Sequence, residues 1–265
     1  MSITGIFLSI TIASMVMYTA YIALLFSLQE KLIFPAPPKN YLLYEALKDS
    51  SLSITHEGSS LQGWKVPGTN PGSGLVAIYF GGNGEDVAAS ITNLKRIPAE
   101  TIYTFNYRGY GLSSGSPSEK LLYEDALRIV DVVKESHPNS QIVIIGYSLG
   151  SAIAGYAAAQ TKPSYLILFA PLHSIERIAK ERFGPFIFPA IIKHKFNLFK
   201  TAKDIKAKTL IICAGYDLVI NPLHSQDTSE AISGFKKMIT INNAGHNDLL
   251  LKEEAFKLIQ DFISK

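Results

Sequence analysis

From Ser2 to Gln29 the chain carries no charged residue, and positions 3–28 are mainly apolar on every side of any helix drawn through them. A core helix would keep one polar face toward water. About 20 residues at 1.5 Å each cross the hydrocarbon of a bilayer, so the run predicts a single membrane-spanning anchor at 1–29. A cleaved leader would carry basic residues ahead of a shorter apolar core and a small-residue site behind it, and neither occurs here. Lys31, Lys39 and Lys48 follow the run but are interleaved with Glu30, Glu45 and Asp49. That balance leaves open which side of the membrane the rest of the chain faces.

After the stretch Phe34-Pro-Ala-Pro-Pro38, which reads as a short stiff linker, strand and helix patterns alternate. Strands are expected near 52–57, 61–66, 75–80, 101–106, 141–146, 164–170, 208–214 and 237–241. The runs at 75–80, 141–146, 164–170 and 208–214 are almost unbroken in Val, Ile, Leu, Phe and Tyr, as strands covered on both faces are. Helices are expected near 86–96, 117–136, 149–160, 222–233 and 247–263. The second opens on Ser116-Pro117-Ser118-Glu119, read as an N-cap serine, a proline at the first helical position and a capping-box glutamate. The pattern implies an α/β domain over 30–265, with a mostly parallel eight-stranded sheet flanked by helices and begun by an antiparallel hairpin. Residues 172–207 break the rhythm with short helical patterns and with Phe183, Phe186, Phe188, Phe196 and Phe199. They are expected to form a small lid over one end of the sheet.

Charge and composition narrow the chemistry. A net charge of +3 over 265 residues, with no run of five or six like charges, argues against a nucleic-acid partner. The histidines, at 56, 137, 173, 194, 224 and 246, never fall four apart as in a helical zinc site. Cys213 is the only cysteine, so no internal disulfide or CxxC site exists, and its apolar strand makes it a small core residue. No metal or cofactor is expected.

The sharpest motif is Gly146-Tyr147-Ser148-Leu149-Gly150, which a strand enters and an alanine-rich helix leaves. Such an elbow holds its serine in a strained conformation, and its glycines must be small. A serine hydroxyl is a weak nucleophile without a base, and the base needs an orienting acid. With this elbow, acid and then histidine follow in loops after later strands. Asp217, in the turn after 209–214, and His246, after 238–241, occupy those places. Asp204, Asp227 and Asp248 are the competing acids; the first precedes its strand, the second lies in a helix, and the third is too near His246 to reach round its ring. An oxyanion hole is expected from the backbone N–H of Leu149 and that of Asn83, in the turn Phe80-Gly81-Gly82-Asn83-Gly84, whose glycines permit close approach. Arg108 and Tyr110 read as braces of the loop before the long helix.

Four signatures stand in order: Lys31-Leu-Ile-Phe-Pro35, Asn106-Tyr-Arg-Gly-Tyr-Gly-Leu-Ser113 leading to Ser116-Pro-Ser-Glu119, the elbow, and Gly245-His-Asn-Asp-Leu249. Over 30–265 the chain thereby resembles the α/β-hydrolase superfamily, and within it the membrane-tethered esterase and lysophospholipase-like α/β-hydrolase-domain proteins. The resemblance implies Ser148, Asp217 and His246 as the catalytic triad. It also shows two departures: Gly81-Gly82-Asn83 stands where the group has His-Gly-Asn, and Val219-Ile-Asn-Pro222 stands where it has Val-Pro. The expected activity is hydrolysis of carboxylic esters or thioesters, with small-molecule or lipid acyl groups as substrate. The membrane is engaged through the N-terminal helix, and no obligate protein partner is evident. A peptidase or acyltransferase on the same residues, or an inactive membrane-anchored scaffold, are the alternatives.

Overall fold

The computed structural model describes residues 2–184 and 191–264. One eight-stranded sheet organises the chain: β1 (Ser51–His56), β2 (Ser59–Pro67), β3 (Leu75–Phe80), β4 (Thr101–Phe105), β5 (Gln141–Tyr147), β6 (Tyr165–Phe169), β7 (Lys208–Tyr216) and β8 (Lys236–Gly245). Their order across the sheet is β1-β2-β4-β3-β5-β6-β7-β8. Strand β2 runs antiparallel to both its neighbours and every later pairing is parallel, so the opening hairpin and the parallel body are both as the alternation predicts.

The near-continuous apolar runs are explained by burial on two sides. In β3, Val76, Ile78 and Phe80 enter one core while Leu75, Ala77 and Tyr79 enter the other, the two-residue period of a strand. The first core is closed by α4 (Glu119–Ser136), α5 (Leu149–Thr161) and α7 (Leu198–Ala202). The second is closed by α3 (Val87–Leu94) and α9 (Glu253–Ile263). Helix α4 presents Ala126, Ile129, Val130 and Val133 inward, at helical spacing. Its buried Asp125 is matched by buried Arg108, whose guanidinium donates to the carboxylate at 2.7 Å, to Ser59 Oγ at 2.7 Å and to His56 O at 3.0 Å. Arg108 thus fastens α4 to the opening hairpin.

Several boundaries differ from the expected ones for local reasons. Helix α1 runs Ile3–Ile33, four residues past 29, because Glu30 and Lys31 are good helix formers and only Pro35 stops it. It is long and apolar enough to cross a membrane. The expected linker is docked rather than free, with Phe34 buried and packed edge-on against His194 and Phe196. A short helix, α2 (Tyr41–Ala46), is capped by Asn40, which accepts from Leu43 N–H. Helix α4 begins at Glu119 with Ser118 as its N-cap, not at Pro117 with Ser116. The Glu119 carboxylate does not close a capping box; it accepts from the backbone N–H groups of Lys195 and Phe196 at 2.7 and 2.8 Å.

Segment 172–207 separates into unlike parts. Helix α6 (Ile175–Phe183) has no fully buried residue and lies over the sheet edge, tied to α8 (Pro222–Ala231) by an ion pair from Arg177 to Asp227 and a hydrogen bond between Glu181 and His224 Nε2 at 2.9 Å. Helix α7 belongs to the body, with Leu198 and Ala202 buried. The phenylalanines divide likewise. Phe196 is core, packed on Phe34 and Tyr123, and Phe199 is 41% exposed and stacks on His173. Phe183 faces the cleft described below, while Phe186 and Phe188 lie outside the described residues.

Candidate active site

Parallel strands end together, and the loops after β3, β5, β7 and β8 meet at one edge of the sheet. Phe80 at the end of β3 is in register with Gly146 of β5, and Tyr216 of β7 with Gly245 of β8. Ser148 follows β5 at φ 50° and ψ −115°, a conformation that costs a non-glycine residue about 1–3 kcal/mol and persists only when its surroundings enforce it. They do: Ser148 N–H donates to Phe169 O at 2.9 Å, and Ser151 Oγ donates to Ser148 O. The flanking glycines are required by contact rather than by φ. A Cβ at Gly146 would meet Gly150 O at 2.4 Å, and one at Gly150 would meet Phe80 O at 2.2 Å.

The structure brings Ser148, His246 and Asp217 into one hydrogen-bonded chain. His246 Nε2 is 3.0 Å from Ser148 Oγ, and His246 Nδ1 is 2.8 Å from Asp217 Oδ2. All three are shielded from solvent, the imidazole and carboxylate side chains being 7% and 4% exposed. The other carboxylate oxygen of Asp217 accepts from Val219 N–H at 2.9 Å and Ile220 N–H at 2.7 Å. The longer turn Val219-Ile-Asn-Pro222 therefore folds back onto Asp217 rather than displacing it. Burial drives the Asp217 carboxyl upward, but the hydrogen bonds from His246, Ile220 and Val219 outweigh it and hold the group below the usual carboxylate range. An ionised Asp217 is acceptor-only, so His246 Nδ1 is the donor in that pair.

The rival acids are engaged elsewhere. Asp248 accepts from Gly245 N–H at 2.7 Å and pairs with Lys252 at 3.1 Å, shaping the His246 turn. Asp227 pairs with Arg177, and Asp204 precedes β7, at the opposite edge of the sheet. Tyr147 adds a further tie, its hydroxyl donating to the His246 backbone carbonyl.

Asn83 and Leu149 border the cleft with Ser148. Leu149 begins α5, where first-turn N–H groups have no intrahelical acceptor. The 81–84 turn is held peptide by peptide. Tyr107 OH donates to Gly81 O at 2.7 Å, Glu85 accepts from Gly82 N–H at 2.7 Å, and Tyr110 OH donates to Asn83 O. Tyr110 thus braces this turn, not only the segment before α4. Glu85, which also accepts from Tyr79 and Ser90, escaped the sequence reading, since only the folded chain shows that its carboxylate turns back onto Gly82. Burial raises its carboxyl above the ordinary value, against the pull of the Ser90 and Gly82 hydrogen bonds.

Above Ser148 opens an apolar cleft. Ile175, Ile178 and Phe183 of α6 form one side, Val219 and Ile220 an end, and residues of α1 the other side. Among the described residues no group of three His, Cys, Asp or Glu side chains could hold a metal ion. Cys213 is buried, which raises its thiol above the ordinary value.

The comparisons agree with this architecture. A family model of the α/β hydrolase fold matches residues 80–167. An α/β-hydrolase domain-containing protein 17C of Xenopus tropicalis is 28% identical over 79% of this chain and 68% of its own length. A protein of Saccharomyces cerevisiae named as a membrane protein is 26% identical over 92% of each chain. An esterase of Pyrococcus furiosus superposes with a TM-score of 0.66 at 18% identity, over 86% of this chain and 96% of its own. That likeness carries the fold, and the fold supports hydrolase chemistry in general. The chain is thus an α/β-hydrolase-fold protein, similar to the α/β-hydrolase domain-containing proteins.

Proposed function

We propose that the protein is a serine hydrolase that cleaves carboxylic esters or thioesters of acyl chains through an acyl-serine intermediate. The observation that carries the reading is the hydrogen-bonded chain from Asp217 through His246 to Ser148, closed off from solvent beneath an apolar cleft. In this reading Ser148 Oγ attacks the acyl carbonyl while His246 Nε2 takes its proton. Asp217 holds the imidazole in that tautomer and stabilises the imidazolium. The N–H groups of Leu149 and Asn83 receive the oxyanion, a donor of this kind being worth about 2.7–4 kcal/mol to the transition state. His246 then protonates the departing alcohol or thiol, and water, deprotonated by the same imidazole, releases the acid. The fold alone does not choose the scissile bond; the apolar walls of the cleft favour an acyl chain.

Helix α1 is proposed to span a bilayer as the anchor of a hydrolase domain over 30–265, with α6 as lid. Ser148→Ala should abolish labelling by a fluorophosphonate and lower ester turnover by several orders of magnitude. Labelling that persists in that variant would remove Ser148 from the role.

A further inference from the structure

The cleft above Ser148 has two helical walls, and one of them is the membrane helix. Leu25, Phe26, Gln29, Leu32 and Ile33 line it, at spacings that place them on one face of α1. Ile175, Ile178, Ala179, Arg182 and Phe183 line it from α6, again one face of a helix, with Arg182 its one charged member. Helix α1 is tied to the last residue of α6 and to the 191–193 backbone. Tyr21 OH donates to Phe183 O at 3.2 Å, Gln29 Nε2 donates to Ile191 O at 3.1 Å, and Gln29 Oε1 accepts from Lys193 N–H at 2.8 Å. Lys193 Nζ pairs with Glu30 at 3.1 Å. The amide of Gln29 is thereby satisfied by backbone, and the α1 wall presents methyl, methylene and ring surface to the cleft.

We propose that the last turns of α1 are a wall of the acyl-binding site, so that the acyl chain of a bilayer-resident ester or thioester passes along α1 and lies between α1 and α6 when its carbonyl meets Ser148. The inference rests on the reading of Ser148 as nucleophile. About 20 residues of α1 fill the hydrocarbon, which leaves the turns from Leu25 onward at the membrane surface. No charged side chain interrupts α1 before Glu30, so the helix runs from bilayer to cleft with a mainly apolar surface. The membrane helix then selects the substrate as well as holding the enzyme near it.

The test uses the full chain in lipid nanodiscs, with kcat/KM measured for nitrophenyl laurate and nitrophenyl acetate and labelling of Ser148 measured alongside. Each methylene kept out of an apolar site forfeits roughly fourfold. Leu25→Trp and Leu32→Trp, which fill the cleft from the α1 side, should therefore lower the laurate-to-acetate ratio by at least about tenfold. Leu24→Trp, one residue away but outside the cleft lining, should leave that ratio within about twofold, the size of change expected where no contact with the acyl chain is altered. Unchanged ratios in Leu25→Trp and Leu32→Trp, with Ser148 still labelled, would overturn the placement of the acyl chain and spare the hydrolase. An equal fall in Leu24→Trp would reduce α1 to a tether. Absence of Ser148 labelling in the wild type would instead overturn the hydrolase reading, and this inference with it.

Discussion

The meeting of Ser148 and His246 was legible in the sequence because their neighbours carry the information: glycines two before and two after the serine, and a turn directly behind a strand for the histidine. Asp217 was harder, since four aspartates compete and the deciding fact is which oxygen reaches His246. The structure places Asp217 at that nitrogen and turns Asp248 toward Gly245. Asp217→Asn should therefore cost on the order of 10⁴ in turnover, and Asp248→Asn far less; the reverse order in steady-state assays would exchange their roles. The same carboxyl gives a pH signature. Its folded value lies below its unfolded one, so its contribution to stability is complete above roughly pH 4 and is lost as pH falls through the folded value. Denaturant titrations at pH 7 and pH 3 should show wild type losing more stability than Asp217→Asn, and equal losses would contradict the assignment. Glu85 was not legible, because no spacing rule marks an acid that accepts from a backbone N–H three residues earlier. Glu85→Gln retains one amide oxygen but weakens the hold on Gly82, and it should lower kcat with little change in KM. A change confined to KM would show that the 81–84 turn binds ground-state substrate instead.

At the scale of elements, strand positions followed from apolar runs, whereas the ends of helices depended on partners distant in sequence. Ser116-Pro117-Ser118-Glu119 has the composition of a capping box, yet Glu119 serves the backbone of Lys195 and Phe196. Local pattern cannot foresee competing backbone donors 76 and 77 residues away. The phenylalanines of 172–207 show the same limit, since composition alone does not tell core from lining. Phe183→Ser should lower turnover of long-chain esters much more than of acetate, while Phe199→Ser should reduce both equally, as paired chain-length assays would show. Beneath α4, removal of Asp125 would strand the Arg108 guanidinium, both side chains being under 10% exposed. Breaking a buried pair this way costs about 3–5 kcal/mol, so Asp125→Ala should shift the denaturation midpoint accordingly. A shift under about 1 kcal/mol, the value typical of exposed pairs, would contradict the bracing role.

For the whole molecule, the alternation of strands and helices was sufficient to foresee a mostly parallel sheet, because right-handed crossovers leave few other arrangements. The apolar helix at the start was equally visible. Its contact with the cleft was not, since Leu25 and Ser148 are brought together by packing between segments distant in sequence, with α1 tied to Phe183 and to the 191–193 backbone. Helix, lid and sheet edge act as one device only if an acyl group is carried on Ser148. The most direct test is intact-protein and peptide mass spectrometry of the full chain quenched during turnover of a nitrophenyl ester. The account expects one added acyl mass on the peptide bearing Ser148, accumulating in a burst and absent from Ser148→Ala. Turnover at full rate with no acylated Ser148 peptide, or an adduct carried by another residue, would contradict it.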